Sequence, residues 1–144
     1  MTPVIRSATS NDLPALIEIE RASFSYPQWD VGDFLRYVCI VAEIDAQIAG
    51  FLVSRETFPG SAESLPEREI LNLAVTPAYR RMGIATLLLR RELQHSADHF
   101  LEVRESNVAA RALYGKLGFV EVGSRKQYYG FPTERAIVMQ MKKC

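Results

Sequence analysis

The sequence predicts an α/β fold, a single domain built on a mixed sheet flanked by helices, and three observations carry that expectation. Its 144 residues match one domain with one core, at roughly 100 to 200 residues per domain. Apolar residues make up 48% and charged residues 24%, the mix of a globular chain and not of a disordered one. Hydrophobic periodicity switches repeatedly between that of a strand and that of a helix. The resulting order is strand, two helices, three strands, helix, strand, helix, two strands, with no internal repeat, low-complexity tract or linker.

Taken in order, "PVIRSAT" reads as the first strand. "TSNDLP" then offers several N-cap oxygens, and Pro14 falls in a first turn whose amides have no helical partner anyway. Leu13, Leu16 and Ile17 give this helix an apolar face and Glu20 a polar one. "SFSYPQWD" is an aromatic turn whose Phe24, Tyr26 and Trp29 suit either core packing or a substrate-contacting loop, and "VGDFLRYV" continues as a short second helix. "CIVAEI" and "IAGFLVSRET" flank "DAQ" as a hairpin, and the polar loop "FPGSAESLPER" leads to the strand "EILNLAV". The main helix follows in "RRMGIATLLLRREL", then the strand "HFLEVRE" and the helix "SNVAARALYGKL", which closes at Gly118. "FVEVGSRKQYY" and "ERAIVMQMKK" are the last strands, split by "GFPT".

Net charge is zero, so the broad positive field required for sequence-independent nucleic-acid binding is missing and any anion site must be local. No apolar run approaches the roughly 18 residues of a membrane span, and "MTPVIRSATSNDLP" has no signal-peptide pattern, so a cytoplasmic protein is expected. Cys39 and Cys144 form no CxxC pair, and Cys39 sits in an apolar run without a basic neighbour to activate it. His95 and His99 have an i, i+4 spacing, but "HSADH" lacks the glutamate of a zinc-protease helix and a third ligand, so no metal site is expected.

The chemistry concentrates where "NLAV" gives way to "RRMGIATLLL". A helix start carries unpaired amides and partial positive charge, which suit a phosphate. Gly83 lets a ligand approach the backbone, Ala85 adds little bulk, and Arg80 and Arg81 add charge. A tight turn with solvated arginines is the plainer reading. The GK[ST] of a Walker loop is absent, and a dinucleotide fingerprint starting at Gly83 would need glycine at Ala85 and Leu88, although Glu102 lies at a suitable distance for a ribose carboxylate.

Arg80, Gly83 and Ala85 spell R-x-x-G-x-A, and with "LEVRESNVAARALYGKLGF" the chain resembles the GCN5-related N-acetyltransferases, in particular the bacterial RimI type that acetylates the N-terminal alanine of a small-subunit ribosomal protein. The resemblance runs from about Ile5 to Met141. It implies a mostly antiparallel sheet whose central strands splay, with the pantetheine arm of acetyl-CoA in the gap. It further implies that main-chain groups of Leu73, Ala74 and Val75 pair with that arm. Arg80 would serve the diphosphate, and residues 81–86, namely Arg81, Met82, Gly83, Ile84, Ala85 and Thr86, would cradle it. Asn107 would hydrogen-bond the cosubstrate, a role that competes with capping the following helix.

The same resemblance assigns Glu102 as general base and Tyr114 as general acid. On its residues alone Glu102 reads equally as an outward-facing strand glutamate, or as a base of raised pKa if it faces a dry cleft beside Phe100, Leu101 and Val103. Tyr114 alone would be a core aromatic, with Phe119 folding back past Gly118 onto Leu113 or Tyr114. An α-amine of pKa about 7.8 is roughly a tenth neutral at pH 7, against a few parts in ten thousand for lysine, so one glutamate suffices for a peptide N-terminus. A peptide N-terminal acetyltransferase is therefore expected. A small-amine or lysine acetyltransferase and a non-catalytic acyl-CoA-sensing module are the alternatives. The interval from Gly83 to Glu102 is shorter than the RimI type implies, and residues 24–29 and 128–133 are the expected acceptor-side walls.

Overall fold

The computed structural model describes residues 2–24, 29–130 and 133–143. The elements are β1 (Val4–Ser7), α1 (Leu13–Ser23), α2 (Val31–Arg36), β2 (Val38–Ile44), β3 (Gln47–Phe58), β4 (Glu67–Val75), α3 (Ile84–Glu92), β5 (Asp98–Arg104), α4 (Val108–Lys116), β6 (Val120–Gly130) and β7 (Thr133–Met141), with 3-10 turns before α1 and α3. The strands hydrogen-bond in the order β1-β2-β3-β4-β5-β7-β6, a seven-stranded mixed sheet. Contacts group the residues into two compact units, Met1–Arg55 with Leu71–His95, and Glu56–Ile70 with Ser96–Cys144.

In the first unit β1, β2 and β3 pair antiparallel. The β2–β3 turn is two residues, Asp45 and Ala46, both at positive φ (49° and 65°), the twist a tight hairpin requires. Strand alternation sorts the side chains. Val41, Phe51 and Val53 join Leu16, Ile19, Phe34 and Ala74 in one buried cluster, in which each valine, leucine, isoleucine or phenylalanine side chain contributes about 1.5–3 kcal/mol. On the other parity, Gly50 lies against Ile84 of α3 and the Ser54 hydroxyl donates to Glu92 at 2.9 Å. Both sheet faces of this unit are therefore covered.

Helix ends follow their capping residues. Thr9 caps the 3-10 turn through a reciprocal capping box with Asp12, and Pro14 lies at the start of α1 as expected. Asp30 caps α2, accepting from the Asp33 amide at 3.0 Å while Asp33 accepts from the Asp30 amide at 2.9 Å. Glu20 departs from the expectation. Assigned to a polar face, it is buried at 2% exposure. There it accepts from Asn72 Nδ2 at 2.9 Å and the Trp29 amide at 3.4 Å, so the carboxylate is compensated by polar partners instead of water. Trp29 packs near Phe34 and Tyr37, with ring centroids 5.2 and 6.0 Å apart, and Phe24 stays 38% exposed. Tyr26 lies outside the described residues.

In the second unit the start of β4 pairs parallel with β5, Glu67↔Asp98 through Ile70↔Leu101. β7 pairs antiparallel with both β5 and β6. Cross-strand partners Leu101↔Met139 and Val103↔Ile137 put the large buried side chains on one face. The opposite face receives Glu102, Arg104, Ala136 and Val138. Gly118 (φ 111°) turns the chain after α4, and Phe119 returns to Tyr114 with ring centroids 5.8 Å apart.

No helix among the described residues is long and apolar enough to cross a membrane. His95 is exposed beyond the end of α3 and His99 is buried on β5, so the two share no helical face. Cys39 is half-buried, and burial pushes its thiol up to about 12, far from thiolate chemistry.

Arg6 ties β1 to the start of α1, with Nη1 and Nη2 reaching the Asp12 carboxylate at 2.8 and 3.0 Å and Nη2 reaching Glu43 at 2.9 Å. The guanidinium holds the Asp12 carboxyl down at about 2. A depressed carboxylate stabilises above its unfolded pKa, about 4, and loses that contribution as pH falls through the folded value. Asp12→Asn is therefore expected to lower the melting temperature at pH 7, with the gap to wild type closing between pH 4 and about 2; thermal scans across that range test it.

Candidate active site

In the first unit, β4 ends at Val75 and a 3-10 turn, Pro77–Tyr79, leads to the start of α3. Arg81 has φ +66° and Gly83 φ +76°. Two positive-φ residues on either side of Met82 turn the chain sharply into the helix start, and turns of this kind can bring successive amides to bear on an anion. For arginine that conformation carries a backbone cost of about 1–2 kcal/mol. Such strain is characteristic of functional segments. The first intrahelical bond runs from the Leu87 amide to the Gly83 carbonyl at 3.0 Å, so the amides of Ile84, Ala85 and Thr86 have no carbonyl one turn back. A Cβ on Gly83 would meet nothing within 4 Å, so the backbone there is open. Met82 is 45% exposed, whereas the Ile84 side chain is buried in the core.

Arg80 is placed differently from its expected role as a mobile charge, since its Nε donates to the Val75 carbonyl at 3.2 Å. Leu73, Ala74 and Val75 lie at the end of β4. β3 approaches closely there: the Thr76 amide donates to the Ala49 carbonyl at 2.8 Å, and a Cβ on Gly50 would lie 2.8 Å from the Ala74 carbonyl. Only glycine permits this approach.

In the second unit, β5 alternates. His99, Leu101 and Val103 are buried, and Phe100, Glu102 and Arg104 lie on the half-covered face. Glu102 thus points away from Leu101 and Val103 and shares its face with Phe100. Its side chain is 11% exposed, and Oε1 lies 3.1 Å from Nε of Arg125. Beside this pair Arg104 reaches Glu134 at 3.3 Å and lies 4.3 Å from the centroid of the Tyr129 ring. Glu134 also accepts from the Ser106 amide at 2.5 Å, and these donors hold its carboxyl below the usual range.

Asn107 caps α4, its side-chain oxygen accepting from the Ala110 amide at 3.2 Å. Capping, one of its two readings, is realised. Tyr114 is buried within α4, and burial pushes its phenol up to about 12. Among the described residues Glu102 and Tyr114 make no hydrogen bond to each other. No described group of three or more His, Cys, Asp or Glu side chains is arranged to hold a metal ion. The expected acceptor-side walls depend on residues 25–28, 131 and 132, which lie outside the described residues.

Residues 12–119 match the model of the acetyltransferase (GNAT) family. The chain belongs to this family. The [ribosomal protein bS18]-alanine N-acetyltransferase of Escherichia coli K12 is 34% identical over 151 aligned positions, covering 95% of each chain. An N-alpha-acetyltransferase of Sulfurisphaera tokodaii is 33% identical, covering 87% of this chain and 84% of that one. The crystal structure of the Escherichia coli ribosomal-protein-S18-alanine N-acetyltransferase superposes with a TM-score of 0.83 at 31% identity, over 99% of this chain and 96% of that one. The protein is accordingly a GNAT-family N-acetyltransferase with the mixed-sheet fold of its relatives.

Within this GNAT chain sequence reasoning missed three features: the Arg125 partner of Glu102, the left-handed backbone of Arg81 and the contact at Gly50. A glycine inside a strand pattern was the available signal for the last. Gly50→Ala is expected to cost about 1–3 kcal/mol, the usual result of forcing a methyl into a filled site, and to displace the Ala74 carbonyl. Thermal denaturation reads the loss, and an unchanged melting temperature would contradict the close approach.

Proposed function

We propose that this N-acetyltransferase transfers acetyl from acetyl-CoA to the α-amine of a peptide or protein N-terminus, with the alanine terminus of a small-subunit ribosomal protein as the acceptor class. The end-to-end match to the bS18-alanine enzyme, 95% of each chain, carries this reading, and the family match across both units supports treating residues 1–144 as one catalytic domain. Such an acceptor places the reaction in the cytoplasm.

The chemistry of the two units fits the proposal. Residues 81–86 are the proposed diphosphate cradle, a reading supported by the positive-φ turn at Arg81 and Gly83 and by first-turn amides of α3 that have no helical carbonyl. The edge groups of Leu73, Ala74 and Val75 are the proposed partners of the pantetheine amides, with Asn107 a further donor through its amide nitrogen. Glu102 is the proposed base. An arriving α-ammonium gives its proton to the carboxylate, the neutral amine attacks the thioester carbonyl, and the C–S bond breaks as the amide forms.

Tyr114 is proposed as the group facing the departing sulfur. With the phenol at about 12 and a thiol reference near 8.5, full proton transfer to the thiolate is uphill by about 3.5 units, or roughly 5 kcal/mol. Burial therefore suits Tyr114 to donating a hydrogen bond that stabilises the thiolate, while the proton released by the amine completes the balance.

Short peptides separate the acceptor classes. With acetyl-CoA, mass shifts are expected on peptides with free N-terminal alanine and not on N-blocked peptides carrying lysine; acetylation confined to the blocked set defeats the N-terminal reading. Glu102→Gln should reduce turnover at neutral pH by about 10²-fold or more, the scale of a lost general base, with coenzyme A affinity by calorimetry nearly unchanged. Full activity in that variant would remove Glu102 from the mechanism.

A further inference from the structure

Glu102 and Arg125 lie on strands that do not touch, because β7 runs between β5 and β6. Neighbouring strands lie about 4.8 Å apart, so an arginine on β6 must reach across a whole strand to meet a carboxylate on β5. The register shows how. Ala136 of β7 is the cross-strand partner of both Arg125 and Arg104, and Glu102 faces Val138 two residues along the same face. The small side chain at 136 leaves a low path over which the Arg125 side chain extends, and its Nε reaches Glu102 Oε1 at 3.1 Å. Arg104 is directed elsewhere, to Glu134 and over the Tyr129 ring.

The two members of the pair differ in their need for each other. Glu102 is 11% exposed and Arg125 59%. A buried carboxylate left without a cation or donor is costly, whereas an exposed guanidinium returns to water at little loss. The site thus requires a cation beside Glu102 but does not require that the cation be Arg125. An α-amine near its reference pKa of about 7.8 is mostly ammonium at pH 7, and it brings the same charge to the same oxygen.

We propose that Arg125 is a specificity-determining residue that occupies the Glu102 carboxylate until the acceptor arrives, so that an incoming ammonium gains its base by displacing the guanidinium. This rests on the reading of Glu102 as the base. Displacement also clears the carboxylate oxygen, Oε1, that the ammonium has to reach. It also discriminates: a neutral or blocked terminus brings no replacement charge and leaves the pair closed.

The test compares the full chain with Arg125→Gln and Arg125→Lys, varying an alanine-initiated peptide at saturating acetyl-CoA. Arg125→Gln is expected to lower the acceptor KM by about two- to fivefold, the range of a displaced partly exposed ion pair, with kcat/KM rising by the same factor. Arg125→Lys, which keeps a competing cation, should stay near the wild-type KM. A residue that merely supports the fold would move both variants the other way. In the wild type, the Arg125 Nε–H resonance, assigned by its loss in Arg125→Lys, should shift on titration with the free peptide and not with its N-acetylated form; this decides the matter if Arg125→Gln does not fold. An unchanged or raised KM in Arg125→Gln, or a resonance indifferent to free peptide, overturns the proposal while an active wild type leaves the assigned function standing. Absence of peptide acetylation by wild type and variants alike removes the function and this inference together.

Discussion

The amides at the start of α3 have no carbonyl one turn back, and the rest of the first unit keeps them available. Arg81 and Gly83 take positive-φ conformations that turn the chain into this helix start. The Ile84 side chain, buried at 2% exposure, anchors the first turn into the core, so the helix start stays fixed while its backbone is open. Gly50 lets β3 come against the Ala74 carbonyl, which sets the position of the strand leading into that turn. A chain of zero net charge can thus carry local positive potential at this helix start, because that end is made of backbone dipoles and not of surplus lysine or arginine.

The second unit depends on a different constraint, the two-residue period of β5. Because His99, Leu101 and Val103 fill the buried face, Glu102 and Arg104 are committed to the other. A slip of one residue would bury the carboxylate in the core and expose the leucine. The face that results is occupied by paired charges, Glu102 with Arg125 and Arg104 with Glu134. Each carboxylate is compensated, which allows acidic groups to sit there at low exposure.

The order of elements was legible because each carries its own local signal: alternation in β5, an N-cap before α1, a two-residue turn after Ile44, Gly118 after α4. Gly83 was legible for the same reason, since its neighbours along the chain define the turn. What was not legible depends on partners distant in sequence. Glu20 counts as polar by any periodicity, yet it is buried because Asn72, 52 residues away, donates to it. Arg125 became the partner of Glu102 through the joint register of three strands, one with irregularities between Glu121 and Gly123 and between Arg125 and Tyr129. Irregularities of this kind shift every later side chain and leave no mark in composition or spacing.

The helix that carries these amides, α3, has only nine residues. A shorter helix has fewer aligned peptide dipoles, but the field that a bound anion experiences comes from the partial charges of the terminal amides and falls off within the first turn. The length of the helix beyond its first turn therefore matters little to the field at those amides. At that far end Glu92 is buried at 3% exposure and held by Ser54, and the Leu93 amide still closes on the Leu89 carbonyl at 2.9 Å. The exit turn thus closes the helix without involving the residues of its first turn.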